Sequence, residues 1–335
     1  MSSILKPTVA VLLPCYNEGL AIAKVVRDFR AALPDATIYV YDNNSSDDTA
    51  AVARAAGAIV RTEMQQGKGH VVRRMFRDID ADFYLMADGD DTYEASVAPE
   101  MVRMAVEGNI DLINCIRRET EQEAYRGGHR FGNLLLTGAV RSIFGNRVQD
   151  MLSGYKIFSR RYVKSFPALA QGFDIETELT VHALELSLPV DHVEGPYRGR
   201  PEGSESKLRT YRDGWRILML IIKLLRHERP VIFFGILAAI LVLASIGTFF
   251  PILGTYLQTG LVPRVPTLIL SVAFMGLAFL SVVTGTILDT VSRGRREVRL
   301  LSYLQYPAFD SKRPEAVSSP AFQGKAQEAA LTLAD

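Results

Sequence analysis

The acidic segment Asp88-Gly-Asp-Asp91 follows a short apolar run, Phe83–Ala87. Such a run is typical of a buried β-strand, so the carboxylates are expected to emerge at the carboxyl end of that strand. Two carboxylates around a glycine can bind a hard divalent cation, Mg²⁺ or Mn²⁺, while the diphosphate oxygens of a nucleotide complete its coordination. We therefore predict that Asp88 and Asp90 bind a metal ion. Because Asp and Gly are also common in turns, the segment needs support from the rest of the chain.

A second polar cluster, Asp42–Asp48, follows another strand-like run, Thr37–Tyr41. Asp42 comes first and would accept hydrogen bonds from a base or a ribose. Ser46 or Asp47 can also cap the next helix. Both roles are compatible, so this cluster is predicted to contact a nucleoside.

The elements around these clusters alternate between strands and helices. Further strand-like runs are Thr8–Leu13, Ala58–Arg61 and Asp111–Ile116, and helical patterns begin near Gly19, Ser46, Lys68 and Val97. This order predicts an α/β fold with a doubly wound, mainly parallel sheet. In such sheets ligands bind beyond the carboxyl ends of the strands, where the polar clusters lie. The sequence has no glycine-rich dinucleotide fingerprint and no P-loop, which disfavours a dehydrogenase or an NTPase.

Composition excludes some classes of protein. The 38 Lys and Arg residues nearly balance the 37 Asp and Glu residues, so no overall basic field favours nucleic acid as a partner. The two cysteines, Cys15 and Cys115, lie in apolar runs without metal-ligand spacing, which favours buried thiols in a reducing compartment. No secretory signal is expected in the first thirty residues, so the N-terminal part is predicted to stay in the cytoplasm.

Two segments of the C-terminal half are apolar enough to span a bilayer. Val231–Leu253 and Val265–Leu288 contain 23 and 24 residues without a charge, whereas about 20 helical residues suffice. Predicted spans at about 231–253 and 266–289 would form a hairpin. The alternative, two buried core helices of a soluble domain, is disfavoured by this length.

Charges around the spans predict their orientation. Arginines precede the first span and follow the second, whereas the linker between the spans carries one charge. By the positive-inside rule both termini and the N-terminal α/β domain face the cytoplasm, as expected for a multi-pass protein of the inner membrane. Trp215–Arg226 alternates apolar and basic residues and predicts an interfacial helix, or else a core helix. The predicted division is 1–210 α/β domain, 211–229 interfacial helix, 230–291 hairpin, and 292–335 basic segment with a disordered tail.

Four motifs in this order resemble the family 2 glycosyltransferases with the GT-A fold: Pro14-Cys-Tyr-Asn-Glu18, Asp42-Asn-Asn-Ser-Ser-Asp47, Gly67-Lys-Gly69 and Asp88-Gly-Asp90. Two later motifs, Asp150-Met-Leu-Ser-Gly-Tyr155 and Arg200–Leu208, are similar to those of the branch that uses polyprenyl phosphate, such as dolichyl-phosphate mannose synthases and undecaprenyl-phosphate glucosyltransferases. The resemblance covers roughly residues 7–300. It implies transfer of one sugar from a nucleotide-sugar donor to a lipid phosphate.

The resemblance also implies roles for individual residues. Those expected to surround the nucleotide are Pro14, Tyr16, Glu18, Asp42, Lys68, Asp88, Gly89, Arg200 and Lys207. Asp88 and Asp90 would bind Mg²⁺ or Mn²⁺. Related enzymes can use a Gln two residues after the second Asp, where this chain has Thr92, so the further ligand is Thr92, Asp91 or water.

The acceptor side of the site is assigned in the same way. The resemblance places Arg117 and Arg130 as a clamp on the lipid phosphate, with Arg118 and Arg126 as competitors, and Ser153 would add a hydroxyl contact. Arginine suits this role because its planar fork donates two hydrogen bonds to phosphate oxygens. Because the acceptor phosphate is already anionic, we expect in-line displacement with inversion and no general base.

Other functions are open at this stage. Asp174, Glu176 and Glu178 would be the candidates for a base if the acceptor were a hydroxyl, whereas a sugar-positioning or structural role is the favoured interpretation. A processive polysaccharide synthase of the same superfamily is the first alternative, and an inactive adaptor that binds nucleotide sugars is the second. A UDP-sugar is the favoured donor and GDP-mannose the next. Glycines in the spans would allow close helix packing, so a homo-oligomer is compatible with the sequence.

Overall fold

The structure is a computed structural model that describes residues 6–119, 149–170, 174–198 and 221–310, together with the single positions 138, 172 and 219. Its strands are β1 (Val9–Cys15), β2 (Thr37–Asp42), β3 (Ile59–Thr62), β4 (Phe83–Met86), β5 (Leu112–Glu119), β6 (Lys156–Ser159) and β7 (Val190–Tyr197). Its helices are α1 (Ile22–Ala32), α2 (Thr49–Ala55), α3 (Lys68–Asp78), α4 (Ala98–Glu107), α5 (Arg160–Ser165), α6 (Ile175–Glu185), α7 (Pro230–Thr259) and α8 (Val265–Leu304).

The seven strands form one sheet in the order β3-β2-β1-β4-β6-β5-β7. Strands β1 to β4 run parallel, β5 and β7 are parallel to each other, and only β6 is antiparallel to its neighbours. The predicted doubly wound, mainly parallel α/β fold is confirmed. The five strands expected from apolar runs are present within two or three residues of their expected bounds.

Strands β6 and β7 were not expected from the sequence. β6 has only four residues, and β7 mixes acidic residues, glycine and proline with few apolar positions. Neither run satisfies the usual strand pattern. Long-range pairing creates both strands, because β6 fills the space between β4 and β5, and β7 extends the sheet alongside β5.

Helices cover both faces of the sheet. Successive residues of β1 point to opposite faces, so Leu12 and Val11 belong to two separate apolar cores. Helices α3 and α6 bury residues in the first core, whereas α1 and α4 bury residues in the second. Burial on both faces explains why the parallel strands are continuous apolar runs.

The predicted interfacial helix is described only in part. Residues 221–228 are helical, whereas residues 211–218 and 220 lie outside the described residues. Ile221 and Leu224 pack against a small cluster formed by Met151, Val181 and Leu184. One side of this helix therefore contacts the catalytic domain, and its placement on a membrane stays a prediction.

Helices α7 and α8 contain the two predicted spans. They have 30 and 40 residues, and their most apolar 18-residue windows have mean hydropathies of 2.6 and 2.2, with only 11% and 17% of those windows buried. By length and composition both can cross a membrane. They pack side by side, since the Ser245 hydroxyl donates to the Ser271 carbonyl oxygen at 2.8 Å, and Gly285 packs closely against Phe234.

Helix α8 continues well beyond the predicted span. Its last turns pack against α5 of the catalytic domain, and Arg299 forms an ion pair with Glu185 of α6. The first part of the predicted basic segment, residues 292–304, continues this helix without a break. The segment after residue 310 lies outside the described residues.

Candidate active site

The loop after β1 is fastened to the loop after β2. Asn17, with a φ of 55°, lies in the left-handed region that asparagine tolerates. Its backbone N–H donates to the Ser45 hydroxyl at 2.9 Å, and its side-chain oxygen accepts from the Ser46 N–H at 2.8 Å. The Glu18 N–H donates to the Thr49 hydroxyl at 2.9 Å. These bonds bring together the segments that carry Pro14, Tyr16 and Glu18 on one side and Asp42 on the other.

Asp42 is buried with one carboxylate oxygen unsatisfied. Its side chain lies at the end of β2, beside Cys15 of β1, and the residue is 5% exposed. Oδ2 accepts a hydrogen bond of 3.2 Å from the Ser45 N–H, whereas Oδ1 has no hydrogen-bond partner. A buried unsatisfied acceptor is costly. The arrangement fits an acceptor for a ligand N–H or O–H, as expected of a residue that contacts a base or a ribose.

Asn43 positions the loop that leads to Lys68, a role that sequence reasoning missed. Its amide nitrogen donates to the carbonyl oxygens of Glu63 and Gln65 at 3.1 and 2.8 Å. Its amide oxygen accepts from the Gly67 N–H at 2.7 Å. Asn43 thereby fixes the start of α3, where Lys68 is the first residue. The sequence signal that could have indicated this role is the position of Asn43 within the Asp42–Asp47 motif.

The acidic segment lies at the carboxyl end of β4, as predicted. Asp90 is 4% exposed, and its Oδ1 accepts from the Thr92 hydroxyl at 2.7 Å. In the structure the Thr92 hydroxyl therefore orients Asp90. That Thr92 itself binds a metal ion stays a prediction. Gly154, at the start of the β6 segment, lies against Asp88 so closely that a Cβ there would overlap the carboxylate. This contact explains the glycine in the Ser-Gly-Tyr motif.

The oxygen chemistry of the acidic segment fits a divalent cation. Asp88 and Asp90 offer hard carboxylate oxygens from one strand end, which Mg²⁺ and Mn²⁺ prefer. Within the part of the chain that the structure describes, no group of three His, Cys, Asp or Glu side chains is arranged to hold a metal ion. The two carboxylates would need oxygens from a ligand to complete a coordination shell.

Lys68 joins the acidic segment to helix α6. Its Nζ lies 2.5 Å from Asp88 Oδ1 and 2.6 Å from Glu176 Oε1. Burial lowers the lysine pKa, but the two carboxylates outweigh burial and hold the pKa above its ordinary value. Lys68 is therefore a fixed positive charge beside Asp88. Sequence reasoning placed Lys68 near the phosphates but did not pair it with Glu176.

Arg117, in β5, is engaged by Asp150. Its guanidinium donates two hydrogen bonds to that carboxylate, Nε to Oδ2 at 2.8 Å and NH2 to Oδ1 at 2.6 Å. The guanidinium also lies over the Tyr197 ring, 5.3 Å from its centroid. The competitor Arg118 is 70% exposed and pairs with Glu194. Of the two arginines, Arg117 is the one whose orientation the surrounding structure fixes.

Lys156 lies in the interior between these groups. It is fully buried, and its Nζ donates to the amide oxygen of Asn114. The Asn114 amide in turn donates to the carbonyl oxygens of Gln149 and Asp150 at 2.7 and 3.1 Å. Burial lowers the pKa of Lys156 to about 8. Neither Lys156 nor Asn114 was expected from the sequence.

Five other residues were considered as contacts of the acceptor phosphate or of the nucleotide diphosphate. Ser153 is fully buried, and its hydroxyl accepts from the Tyr155 N–H at 3.3 Å. Arg126, Arg130, Arg200 and Lys207 lie outside the described residues. All five assignments stay predictions.

Comparisons with known proteins agree with this fold. The sequence profile of glycosyl transferase family 2 matches residues 10–166. Glycosyltransferase AglJ of Haloferax volcanii is 35% identical over 68% of this chain and 75% of its own length. The dolichyl-phosphate hexose transferase of the same organism is 26% identical over 66% of this chain and 95% of its own length. The chain belongs to glycosyl transferase family 2.

A solved structure shows the same fold. Glucosyl-3-phosphoglycerate synthase from Mycobacterium tuberculosis, in complex with Mn²⁺ and UDP-glucose, superposes with a TM-score of 0.54 at 25% identity. The match covers 65% of this chain and 78% of that protein. The chain is thus a glycosyltransferase with a GT-A-like catalytic domain.

Proposed function

We propose that the protein transfers one sugar from a nucleotide-sugar donor to a polyprenyl phosphate at the cytoplasmic face of a membrane, with inversion. A UDP-sugar is the favoured donor, and GDP-mannose is the second choice. The observation that carries the proposal is the direct packing of the catalytic domain against α8, a helix long and apolar enough to cross a membrane. An active site joined to such a helix is suited to an acceptor that lies in the bilayer.

The donor half of the proposal is supported by the polar cluster at the strand ends. Asp42 would accept from the nucleoside, while Asp88 and Asp90 would hold Mg²⁺ or Mn²⁺ at the diphosphate. A bound cation would neutralise negative charge on the departing diphosphate. The complex of the fold neighbour with Mn²⁺ and UDP-glucose supports this donor class. Lys68 would add a positive charge that does not depend on the metal.

The acceptor half is supported by Arg117 and by a relative. One similar protein, the dolichyl-phosphate hexose transferase of Haloferax volcanii, is named after a lipid phosphate. Arg117 would donate hydrogen bonds to the acceptor phosphate, and Asp150 would hold its guanidinium in place until the phosphate arrives. A phosphate oxygen is already anionic, so the chain need only orient it and exclude water from the sugar. Arg130 and Ser153 are proposed as further contacts.

A transfer assay tests the proposal. Purified full-length protein is incubated in detergent with undecaprenyl phosphate, a panel of nucleotide sugars labelled in the sugar, and either Mn²⁺ or a chelator. We expect label in the lipid extract with one donor, and loss of that signal after chelation. A polymeric product would favour the processive synthase, and donor binding without product would favour the adaptor. Transfer undiminished by chelation would contradict the metal assignment.

A further inference from the structure

Three carboxylates cluster at the start of α6, and the structure separates their roles. Glu178 accepts hydrogen bonds from the N–H groups of Leu169 and Ala170 at 3.0 and 2.7 Å, so it holds the preceding loop. Asp174 accepts from the Gly172 N–H at 3.1 Å and lies 3.8 Å from the Lys223 ammonium. Glu178 and Asp174 therefore both stabilise the surrounding structure.

Glu176 differs from both because it faces the acidic segment. The residue is 5% exposed, and its Oε1 forms the ion pair with Lys68, whose ammonium also contacts Asp88. The Glu176 and Asp88 carboxylates therefore lie on either side of one ammonium group. A ligand held at Asp88 would therefore lie near Glu176.

The second oxygen of Glu176 has no hydrogen-bond partner. Oε2 is buried and unsatisfied, and burial raises the pKa of this carboxyl despite the neighbouring lysine. An unsatisfied carboxylate oxygen costs free energy that a hydrogen-bond donor would recover. Because Lys68 already occupies Oε1, the missing donor must come from outside the described contacts.

We propose that Glu176 Oε2 accepts a hydrogen bond from a ring hydroxyl of the donor sugar, so that Glu176 and Lys68 form a sugar subsite next to the diphosphate. This inference rests on the proposed function. A carboxylate at this position selects a hydroxylated sugar over the analogue that lacks the contacted hydroxyl, because the deoxy analogue leaves the buried oxygen unpaired. It also disfavours a sugar that presents a negative group there.

Binding measurements separate this subsite from the rest of the donor site. The affinities of the preferred nucleotide sugar and of its nucleoside diphosphate are measured with Mn²⁺ by calorimetry on the full-length protein in detergent. Glu176→Gln is expected to lower the ratio of nucleotide-sugar affinity to diphosphate affinity about ten- to hundredfold, and an effect that reaches the diphosphate through Lys68 cancels in this ratio. The matched control is Glu178→Gln on the same helix, which is expected to leave the ratio of the two affinities unchanged.

Deoxy analogues of the donor give a second readout. For wild type, one deoxy position is expected to weaken binding about tenfold or more, and in Glu176→Gln the same change is expected to have a smaller effect, because an amide oxygen accepts a weaker hydrogen bond than a carboxylate. If Glu176→Gln melts at a lower temperature, Glu176→Asp, which keeps the charge, serves as the second variant and is expected to retain part of the discrimination.

The outcomes distinguish this inference from the proposed function. An unchanged ratio of nucleotide-sugar affinity to diphosphate affinity in Glu176→Gln would overturn the subsite. The proposed donor class would not be affected. Failure of the wild-type protein to bind any nucleotide sugar would overturn the proposed function itself.

Discussion

Tyr303, in the last turn of α8, donates a hydrogen bond of 2.9 Å to Oδ2 of Asp111, the residue before β5. Asp111 is fully buried and also accepts from Arg161 and Ser159. Strand β5 carries Arg117 a few residues further on. One continuous helix of 40 residues, about 60 Å long at 1.5 Å per residue, therefore connects the apolar hairpin to the strand that bears the proposed acceptor clamp.

Replacing Tyr303 by Phe removes this hydrogen bond and keeps the ring. We expect a loss of about 1 kcal/mol of stability, because the buried Asp111 carboxylate loses one of its donors. In the transfer assay the lipid-dependent rate should fall more than donor affinity, which would change little. Tyr306→Phe is the control, since no side-chain hydrogen bond is described for Tyr306. Equal melting temperatures and rates for wild type and Tyr303→Phe would contradict a coupling role.

Asp90→Asn tests the metal assignment. The change removes one carboxylate charge at nearly constant size, so turnover should fall by about 100-fold or more while membrane insertion is preserved. Asp28→Asn is the control, because it removes a carboxylate that pairs with Lys24 at the surface and lies outside the acidic segment. Comparable Mn²⁺-dependent donor binding in Asp90→Asn and wild type would mean that Asp90 is not a ligand.

Arg117→Lys tests the acceptor clamp. Lysine keeps the positive charge beside Asp150 but loses the planar fork that would bind phosphate. The apparent KM for undecaprenyl phosphate should rise about tenfold, with donor affinity unchanged. Arg118→Lys, at the exposed pair with Glu194, should behave like wild type. If Arg117→Lys and Arg118→Lys show the same apparent KM for undecaprenyl phosphate, Arg117 does not bind the acceptor phosphate.

Lys156 gives a pH dependence of stability. Its pKa is about 8 in the folded protein against an ordinary value of 10.5, so between these pH values the unfolded chain binds a proton that the folded protein does not. The free energy of unfolding therefore rises with pH in this interval, by up to about 3 kcal/mol from this group.

Melting temperatures in detergent check this prediction. The difference between wild type and Lys156→Met should move in favour of wild type from pH 8 to pH 10. The exposed Lys6 provides the control, because Lys6→Met should show no such trend. A difference for Lys156→Met that stays flat or falls with rising pH would contradict a buried, easily deprotonated lysine.

The strand-end clusters could be located from sequence because the signals are local. An apolar run followed by Asp88 and Asp90 marks both a strand and the residues at its end, and the same holds for Asp42. The parallel order of the strands then brings these clusters together without knowledge of any individual contact.

The pairings within the site could not be located in the same way. Asp150 is 33 residues from Arg117, and Glu176 was one of three similar acids with equal claims. Only the position of α6 against α3 shows that Glu176, and neither of its neighbours, contacts Lys68. Strands β6 and β7 were missed for a related reason, since their pairing partners rather than their own residue pattern define them.

The most direct test of the account compares two lipids that differ only in the acceptor group. Full-length protein with Mn²⁺ and its preferred nucleotide sugar is given undecaprenyl phosphate or undecaprenol at equal concentration, and labelled lipid is measured over time. We predict transfer to the phosphate and no detectable transfer to the alcohol, because no general base is proposed for a hydroxyl acceptor. Equal labelling of undecaprenol would contradict the claim that a lipid phosphate is the acceptor.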